Sequence, residues 1–364
     1  GLMTVFFLLV GLEIKRELLV GELSSFRKAA LPFIAACGGM LFPVLVYSFV
    51  CAPGTPGGQG LAIPMATDIA FSLGVLSLLG KRVPLSLKIF LTAFAVVDDI
   101  GGILVIAVFY SSHVAYGYLL VAILLLILLY FIGKRTVANK LFFLVIGVVI
   151  WYLFLQSGIH STIAGVLLAF VIPAKPQLRA GRYIERIRRI INTFPVMGEN
   201  DIVLTNEQIA QLKRVESASD RVISPLQSLE DNLHGVVNYI ILPLFAFVNA
   251  GVVFSGGGEV IGEVSIAVAL GLLCGKFLGI YFFTWLAVKS KLTPMPQGMD
   301  WKNIAGVALL GGIGFTVSLF IANLSFGVTH PVLLNQAKFG VLSGTALAGI
   351  LGYIVLYLVL PKKR

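Results

Sequence analysis

The chain has 364 residues, of which 58% are hydrophobic and only 12% are charged, and its mean hydropathy is +0.97. A soluble domain carries about 25% charged residues, so this composition excludes one. The net charge of +10 is explained by Lys and Arg in loops on one side of a membrane. The sequence contains no basic face interleaved with aromatic residues, so it does not predict nucleic-acid binding.

Apolar segments near the length of about 20 residues that crosses a bilayer recur along the whole chain. They predict an all-α polytopic membrane protein with eleven spans in this chain. The predicted spans are 1–22, 30–50, 61–80, 84–110, 115–133, 139–156, 158–174, 234–254, 262–289, 302–326 and 335–360. Because the chain opens inside an apolar segment at Gly1, we expect a missing N-terminal helix, which would bring the number of spans to 12.

The loops between these segments alternate in charge. Loops such as CAPGTPGGQG and FSGGGEVIGE contain no Lys or Arg, whereas every second loop is basic. The positive-inside rule places the basic loops and the C-terminus in the cytoplasm. The basic set comprises Arg27, Lys28, Lys81, Arg82, Lys134, Arg135, Lys140, Lys289, Lys291, Lys362, Lys363 and Arg364.

One hydrophilic insert, residues 175–229, separates seven spans in 1–174 from four spans in 230–364. Because successive loops alternate between the two sides of the membrane, the position of this insert in the series predicts that it is cytoplasmic. Within it, RYIERIRRIINTF predicts a helix with a basic face and an apolar face. The basic face carries Arg182, Arg186 and Arg189, and the apolar face carries Ile184, Ile187 and Ile191. We expect a solvated helix that packs its apolar edge on the cytoplasmic side of the protein; a helix lying on anionic lipid is the alternative.

Two of the predicted spans are interrupted. In 61–80, Pro64 removes a backbone donor near the middle of the segment, and Thr67 and Asp68 follow. In 302–326, the run GGIG brings three glycines together, at Gly311, Gly312 and Gly314. Non-helical backbone at membrane depth is stable only when it is buried in protein or lines a wet cavity, so the two segments favour a transporter binding site. The alternative is a proline kink in one helix and close glycine packing of the other.

Four charged residues fall inside the predicted spans: Asp68, Asp98, Asp99 and Lys276. A charged residue at the centre of a span costs about 2.5–3.5 kcal/mol on insertion scales, so each of them needs a partner or water. Neighbouring positions of a helix point about 100° apart, so Asp98 and Asp99 cannot both face one partner. We expect one aspartate to pair with Lys276 and the other to face a hydrated cavity.

The chemistry of these groups fits cation–proton exchange. Burial disfavours the charged form of a carboxylate or a lysine and pairing favours it, so a site balanced between the two can change protonation near neutral pH. Carboxylate oxygens and a threonine hydroxyl or carbonyl are also hard ligands, suited to a small hydrated cation. Because the same oxygens can hold either protons or a metal ion, these residues predict an antiporter and not an enzyme.

At these residues the chain resembles the NhaA-type sodium/proton antiporters of bacteria. The resemblance covers most of residues 1–174 and 230–360, and the run 62–101 is highly specific. The matching motifs are FFLLVGLEIKREL (6–18), AIPMATDIAFSLGVLSLLGKRVPLSLKIFLTAFAVVDDIG (62–101), SGIHSTIAGVLLAFVIP (157–173), ILPLFAFVNAG (241–251), GLLCGKFLGI (271–280) and GGIGFTVSLFIA (311–322).

The resemblance implies an inverted-repeat transporter fold with two discontinuous crossing helices, in the bacterial inner membrane. It implies electrogenic exchange of cytoplasmic Na⁺ or Li⁺ for external H⁺, with no cofactor. The partners it implies are these ions, the membrane lipids and a second copy of the chain in a homodimer.

The resemblance also implies roles for the charged residues. Asp98 and Asp99 would form the core of the ion site, with Asp98 near Lys276, and Thr67 would assist in coordinating Na⁺. Asp68 would offset the positive helix ends where the interrupted helices cross, and Lys276 the negative ends. Whether the exchanged protons leave both aspartates, or one leaves Lys276 when its ion pair breaks, stays open at this point.

A pH-sensing cluster on the cytoplasmic side is a further feature of the family. The matching candidates here are Glu13, Arg16, Glu17, Glu230 and His234, with His160 as a separate candidate. Ordinary interfacial charges that cap helix ends are an equal alternative for the cluster, and a buried, hydrogen-bonded histidine is favoured for His160. The stretch SPLQSLED lacks the basic residues that the family has before Glu230.

Two other function classes compete with the antiporter. An intramembrane aspartyl protease needs two aspartates from separate helices that converge on one water, which an adjacent pair on one helix fits poorly. A symporter or channel on a similar scaffold is the second alternative. A channel should show a continuous selectivity filter, whereas this chain offers a single charged cluster between interrupted segments.

Overall fold

A computed structural model describes residues 1–110, 114–135, 140–176, 180–193, 205–253, 260–296, 298–327 and 329–361. Within these ranges the chain folds into helices and contains no strand, which confirms the predicted all-α class. The helices are α1 (Leu2–Leu19), α2 (Phe26–Val50), α3 (Ile69–Ser77), α4 (Leu85–Phe109), α5 (Tyr116–Arg135), α6 (Lys140–Ser157), α7 (Thr162–Val171), α8 (Ala180–Asn192), α9 (Asn206–Val222), α10 (Pro225–Val236), α11 (Leu242–Asn249), α12 (Glu263–Leu270), α13 (Lys276–Lys289), α14 (Trp301–Leu310), α15 (Phe315–Phe326) and α16 (Pro331–Val359).

Fewer helices pass a test of length and apolar composition for membrane spans than the eleven segments predicted from the sequence. Seven helices of the described ranges are long and apolar enough to cross a membrane, or up to nine if each of two bent helix pairs is one span. The remaining candidates are α1, which carries four charged residues near its end, and α7, which has only 10 residues. The polytopic membrane class is therefore confirmed, and the count of eleven stays a prediction.

Both interrupted segments are broken in the structure. The 3₁₀ turns of Pro56–Met65 meet α3 at an angle of 47°, and α14 meets α15 at 44°. Pro64 lies in the 3₁₀ turn Ile63–Met65, and α14 ends at the glycine run. A side chain on Gly312 would collide with the carbonyl oxygen of Leu272, so this run both ends a helix and permits close packing.

Two further helices contain an irregular turn that the sequence did not reveal. A π turn at Val237–Ile241 joins α10 to α11, and a second at Gly271–Gly275 joins α12 to α13. A π turn inserts one residue into the helical ladder and is frequent at functional sites. The second turn ends directly before Lys276, so it sets the direction in which that side chain leaves its helix.

Helix α13 packs closely on α2, and this contact positions Lys276. A side chain on Gly38 would collide with the carbonyl oxygen of Gly279, and a side chain on Gly279 would collide with that of Gly38. Small residues that let two backbones touch are a common device of membrane helices, where dispersion contacts replace the hydrophobic effect. The helices around this contact bury the main apolar core.

Helix α10 begins inside the predicted insert. The bounds of the insert (175–229) and of the following span (from 234) stay predictions, but the helix itself starts earlier, at Pro225, with Ser224 as its N-cap. The reason is that its first turns are polar and escape a hydropathy pattern, whereas Pro at the first helical position and a serine cap begin a helix locally.

The insert itself folds as a helix pair. Helix α8 packs on α9, and Tyr183 and Ser219 share a hydrogen bond of 2.7 Å. Ile190 is buried there, while Ile184 and Ile191 are exposed, so the predicted apolar face is wrong in part. The face of α8 that packs on α9 includes Tyr183 and Ile190. The lipid-surface alternative stays a prediction.

Candidate ion-binding site

The two adjacent aspartates lie in the middle of α4, a 25-residue helix that begins after Pro84 and contains no proline. Asp98 is 1% exposed and Asp99 is 4% exposed. Because they are consecutive, their side chains leave the helix in different directions. Each carboxylate therefore has its own surroundings.

Asp98 faces Lys276. The lysine Nζ lies 2.6 Å from Asp98 Oδ2, and the side chains of both residues are completely buried. The ammonium group also lies over the ring of Phe94, 5.6 Å from its centre. The second carboxylate oxygen, Asp98 Oδ1, is buried and has no hydrogen-bond partner in the described ranges. A buried acceptor without a partner is costly, and it marks a position at which a cation would be stabilised.

Thr67 connects this ion pair to the break between α14 and α15. Lys276 Nζ donates a hydrogen bond of 2.9 Å to Thr67 Oγ1, and the hydroxyl in turn donates to the carbonyl oxygen of Gly311 at 2.8 Å. Gly311 follows the last residue of α14, where helical carbonyl groups lack partners. The negative end of α14 therefore points toward the ammonium group through one hydroxyl.

Asp68 lies at the N-terminal ends of α3 and α15. Its Oδ1 accepts a hydrogen bond of 3.2 Å from the backbone N–H of Phe71, and so caps α3. Its Oδ2 accepts a bond of 3.1 Å from the backbone N–H of Thr316, in the first turn of α15, and a further bond from the Thr316 hydroxyl. One carboxylate thus stabilises the positive ends of two helix halves.

Three residues that the sequence reasoning did not assign complete the crossing. Ser72 Oγ donates to the carbonyl oxygen of Leu310 at 3.0 Å, and Ser318 Oγ donates to that of Ile63 at 2.7 Å. Thr316 is the third, through its bonds to Asp68. Each interrupted segment therefore supplies a hydroxyl to a carbonyl that the other leaves unpaired. A signal existed, because serine and threonine recur just after both breaks.

Asp99 faces a cavity. The cavity has a volume of about 830 Å³ and lies between α1, α3 and the α10–α11 helix, and its lining includes Asp99, Glu13 and His234. The exposed Leu78 and Tyr239 also line it, so it extends from the buried carboxylate to the protein surface. Within the described ranges no side chain or backbone group makes a hydrogen bond to Asp99. The expectation that one aspartate pairs with Lys276 while the other faces a cavity matches this geometry.

The five candidates for pH sensing meet where α1 and α10 pack together. Arg16 Nε lies 3.0 Å from Glu230 Oε1, and Arg16 Nη2 lies 3.4 Å from Glu17 Oε1. His234 Nε2 lies 3.4 Å from Glu13 Oε1 and 3.9 Å from Glu230 Oε1. The structure therefore brings these residues into one cluster, and two of them, Glu13 and His234, line the cavity that Asp99 also lines. Their role in pH sensing stays a prediction.

His160 lies outside that cluster. It is half-buried before the first turn of α7, where its Nδ1 is 2.8 Å from the Thr162 hydroxyl and its ring packs edge-on against Phe320. This is the hydrogen-bonded environment that the sequence analysis favoured over a titrating role.

The sequence of the chain is similar to those of known proteins. The sequence model of a family described as Na⁺/H⁺ antiporter 1 matches residues 1–356. Proteins named Na(+)/H(+) antiporter NhaA are similar along the entire chain. One from Bacteroides fragilis is 85% identical over 364 residues, which are 100% of this chain and 83% of the relative. One from Bacteroides thetaiotaomicron is 82% identical with the same coverage, and one from Phocaeicola vulgatus is 64% identical over 100% of this chain and 81% of the relative.

Proposed function

The chain belongs to the Na⁺/H⁺ antiporter 1 family and is a multi-pass membrane protein that exchanges Na⁺ and H⁺, and from that premise we propose that the exchange takes place at Asp98 and Asp99. The observation that carries the proposal is the completely buried pair of Lys276 and Asp98 beside two broken helices. Charged groups at membrane depth are costly and mark ion pathways.

The cation is held by oxygen atoms in this proposal. Asp99 supplies a carboxylate on the cavity, Asp98 supplies its unpaired Oδ1, and Thr67 supplies its hydroxyl oxygen. These are hard ligands, suited to Na⁺ and to the smaller Li⁺. The cavity supports a path for a hydrated ion from the protein surface to Asp99.

Lys276 competes with the cation in this scheme. Its ammonium group donates to Asp98 Oδ2 and to Thr67 Oγ1, so it occupies the same carboxylate group and the same hydroxyl that the cation needs. A bound cation would replace the ammonium at Asp98, and burial disfavours a lysine that stays charged without its carboxylate. Loss of a proton from Lys276, together with one from Asp99, would then accompany cation binding. Two protons for one Na⁺ make the exchange electrogenic.

The charge of the loops supports an orientation of the chain in the membrane. The basic loops support a cytoplasmic C-terminus in the bacterial inner membrane. Cytoplasmic Na⁺ or Li⁺ would leave as external protons enter, while one helix group rocks against the other around the site. Glu13, Glu230 and His234, on the same cavity surface or beside it, would adjust exchange to cytoplasmic pH. Membrane lipids and a second copy of the chain are the further partners in this proposal.

The test is exchange in everted membrane vesicles from bacteria that lack other Na⁺/H⁺ antiporters. Respiration builds a pH gradient, and added Na⁺ or Li⁺ should dissipate it with the wild-type chain. We expect Asp99→Asn to abolish the response and Asp300→Asn to preserve it, because Asp300 is an exposed aspartate that makes no capping hydrogen bond.

Two results would contradict the proposal. If Asp99→Asn kept normal apparent Na⁺ affinity, the site assignment would be wrong. If the wild-type chain gave no response from mildly acidic to alkaline pH, exchange through this chain would itself be excluded. Na⁺-dependent uptake of an organic solute would instead indicate the symporter.

A further inference from the structure

Three potential metal ligands meet between α1 and α10, outside the ion site. They are the carboxylates of Glu13 and Glu230 and the imidazole of His234, and one ligand atom of each lies within 4.8 Å of the others. His234 Nε2 is 3.4 Å from Glu13 Oε1 and 3.9 Å from Glu230 Oε1. With metal–ligand bonds of about 2.0–2.2 Å, the ligand atoms of a tetrahedral zinc site lie about 3.3–3.6 Å apart. The side chains are therefore already near the spacing that a bound ion requires.

One of these ligands has an oxygen that nothing satisfies. Glu230 is 4% exposed, and its Oε2 is buried without a hydrogen-bond partner in the described ranges. Its other oxygen, Oε1, faces Arg16 and His234. A buried carboxylate oxygen without a partner is destabilising, and a cation held by both oxygens of Glu230 would remove that cost.

The charge of the cluster complements a divalent ion. Glu13, Glu17 and Glu230 contribute three negative charges against the one positive charge of Arg16, which leaves a formal charge of −2 when His234 is neutral. The nearby Lys15 does not neutralise it, because its Nζ turns away to the carbonyl oxygens at the end of α7, including that of Phe170 at 2.6 Å.

The donor set selects the kind of ion. An imidazole nitrogen with two carboxylate oxygens and a water molecule suits Zn²⁺, whereas Mg²⁺ and Ca²⁺ prefer six or more oxygen ligands. Glu13 and His234 also line the cavity of about 830 Å³ that reaches Asp99. We propose that this cluster binds a transition-metal ion of the Zn²⁺ class, and that the bound ion obstructs the cavity through which Na⁺ reaches Asp99. The obstruction rests on the proposed function, whereas the binding does not.

Binding is tested by titrating the purified full chain with ZnCl₂ in a calorimeter. We expect one site in the wild-type protein, and an affinity lower by at least about tenfold in His234→Ala. His234 is 42% exposed, so its replacement should leave the fold intact. His330→Ala is the matched control, since His330 lies before α16 and outside the cluster, and it should bind Zn²⁺ as the wild type does. Absence of binding, or equal affinity in the wild type and His234→Ala, would overturn the metal site.

Obstruction is tested by exchange in proteoliposomes made from the same proteins. Zn²⁺ should slow wild-type exchange, a chelator should restore it, and the half-inhibitory concentration should rise by at least about tenfold in His234→Ala. If Zn²⁺ bound but left exchange unchanged, the obstruction would be overturned while Na⁺/H⁺ exchange stood. Absence of exchange by the wild-type protein before Zn²⁺ is added would instead count against the proposed function, and the calorimetric result would still decide the metal site.

Discussion

The buried ion site and the cluster between α1 and α10 each contain a basic side chain that faces a carboxylate, and their surroundings differ. Lys276 and Asp98 lie 2.6 Å apart with both side chains completely buried. Arg16 and Glu230 lie 3.0 Å apart, but the Arg16 side chain is 40% exposed and that of Glu230 is 5% exposed. A buried charge that loses its partner has no water to replace it, whereas water and other charges can compensate at the partly exposed pair.

This difference suits the two clusters to different tasks. The buried pair can exchange its partner only for another cation or a proton, which makes it suitable as a transport site. The outer pair belongs to a cluster that also contains Glu13 and His234, which line the cavity, and its partial exposure lets water stabilise a charge that loses its partner. Variants of the two clusters should therefore differ in the size and in the kind of their effects.

The largest effect is expected for Lys276→Met. Removing one partner of a buried ion pair costs about 3–5 kcal/mol, because Asp98 is left as an uncompensated charge. We expect a lower unfolding temperature of the purified protein in detergent and no Na⁺/H⁺ exchange in vesicles. The double variant Lys276→Met with Asp98→Asn removes both charges and should regain much of the stability without exchange. A single variant as stable as the wild type would contradict the importance of burial.

A somewhat smaller effect is expected at the crossing of the broken helices. Asp68→Ala leaves the buried N–H of Thr316 without its acceptor, which costs about 1–3 kcal/mol. It also removes the partly exposed cap on the N–H of Phe71, which costs about 1 kcal/mol. The unfolding temperature should fall, and Asp68→Asn should lose less because one acceptor oxygen remains. Equal stability of the alanine variant and the wild type would show that Asp68 does not hold the two helix ends together.

A third variant separates stability from ion binding. Thr67→Ala removes the hydroxyl between Lys276 Nζ and the carbonyl oxygen of Gly311, a change worth about 1–2 kcal/mol. We expect a higher apparent KM for Na⁺, measured from the Na⁺ concentration that half-dissipates the pH gradient. Thr67→Ser keeps the hydroxyl and is the control. If both variants raised KM equally, the lost methyl group and not the hydroxyl would be responsible.

The smallest change in stability is expected at the outer cluster. Arg16→Gln breaks a partly exposed pair, and such pairs contribute about 0–1 kcal/mol. Its effect should appear in the pH profile of exchange, with the maximal rate preserved, because Arg16 faces two of the carboxylates of the cluster. Lys28→Gln breaks an exposed pair with Glu22 elsewhere and should leave the profile unchanged. Loss of the maximal rate in Arg16→Gln would erase the distinction between the clusters.

The sequence by itself determined the features that depend on local chemistry. Composition and the length of the apolar segments fixed the helical membrane class, because a bilayer admits little other backbone structure. The breaks were readable at Pro64 and at the GGIG run, since a missing donor and a flexible backbone act where they stand. The charged residues inside the spans were equally visible, because a charge within an apolar segment is unfavourable in a bilayer and can be recognised before its partner is known.

Only the tertiary structure decided which of these groups meet. Adjacency fixes the angle between Asp98 and Asp99 but not the rotation of α4, so the pairing of Asp98 with Lys276, 178 residues away, required the packed bundle. The π turn before Lys276 had no local signal. The hydroxyls that cross between the broken helices were visible in the sequence as residue types, but their carbonyl partners were not. These features arise because a buried polar group takes whatever partner the neighbouring helices bring to it, and that partner is set by packing between distant segments.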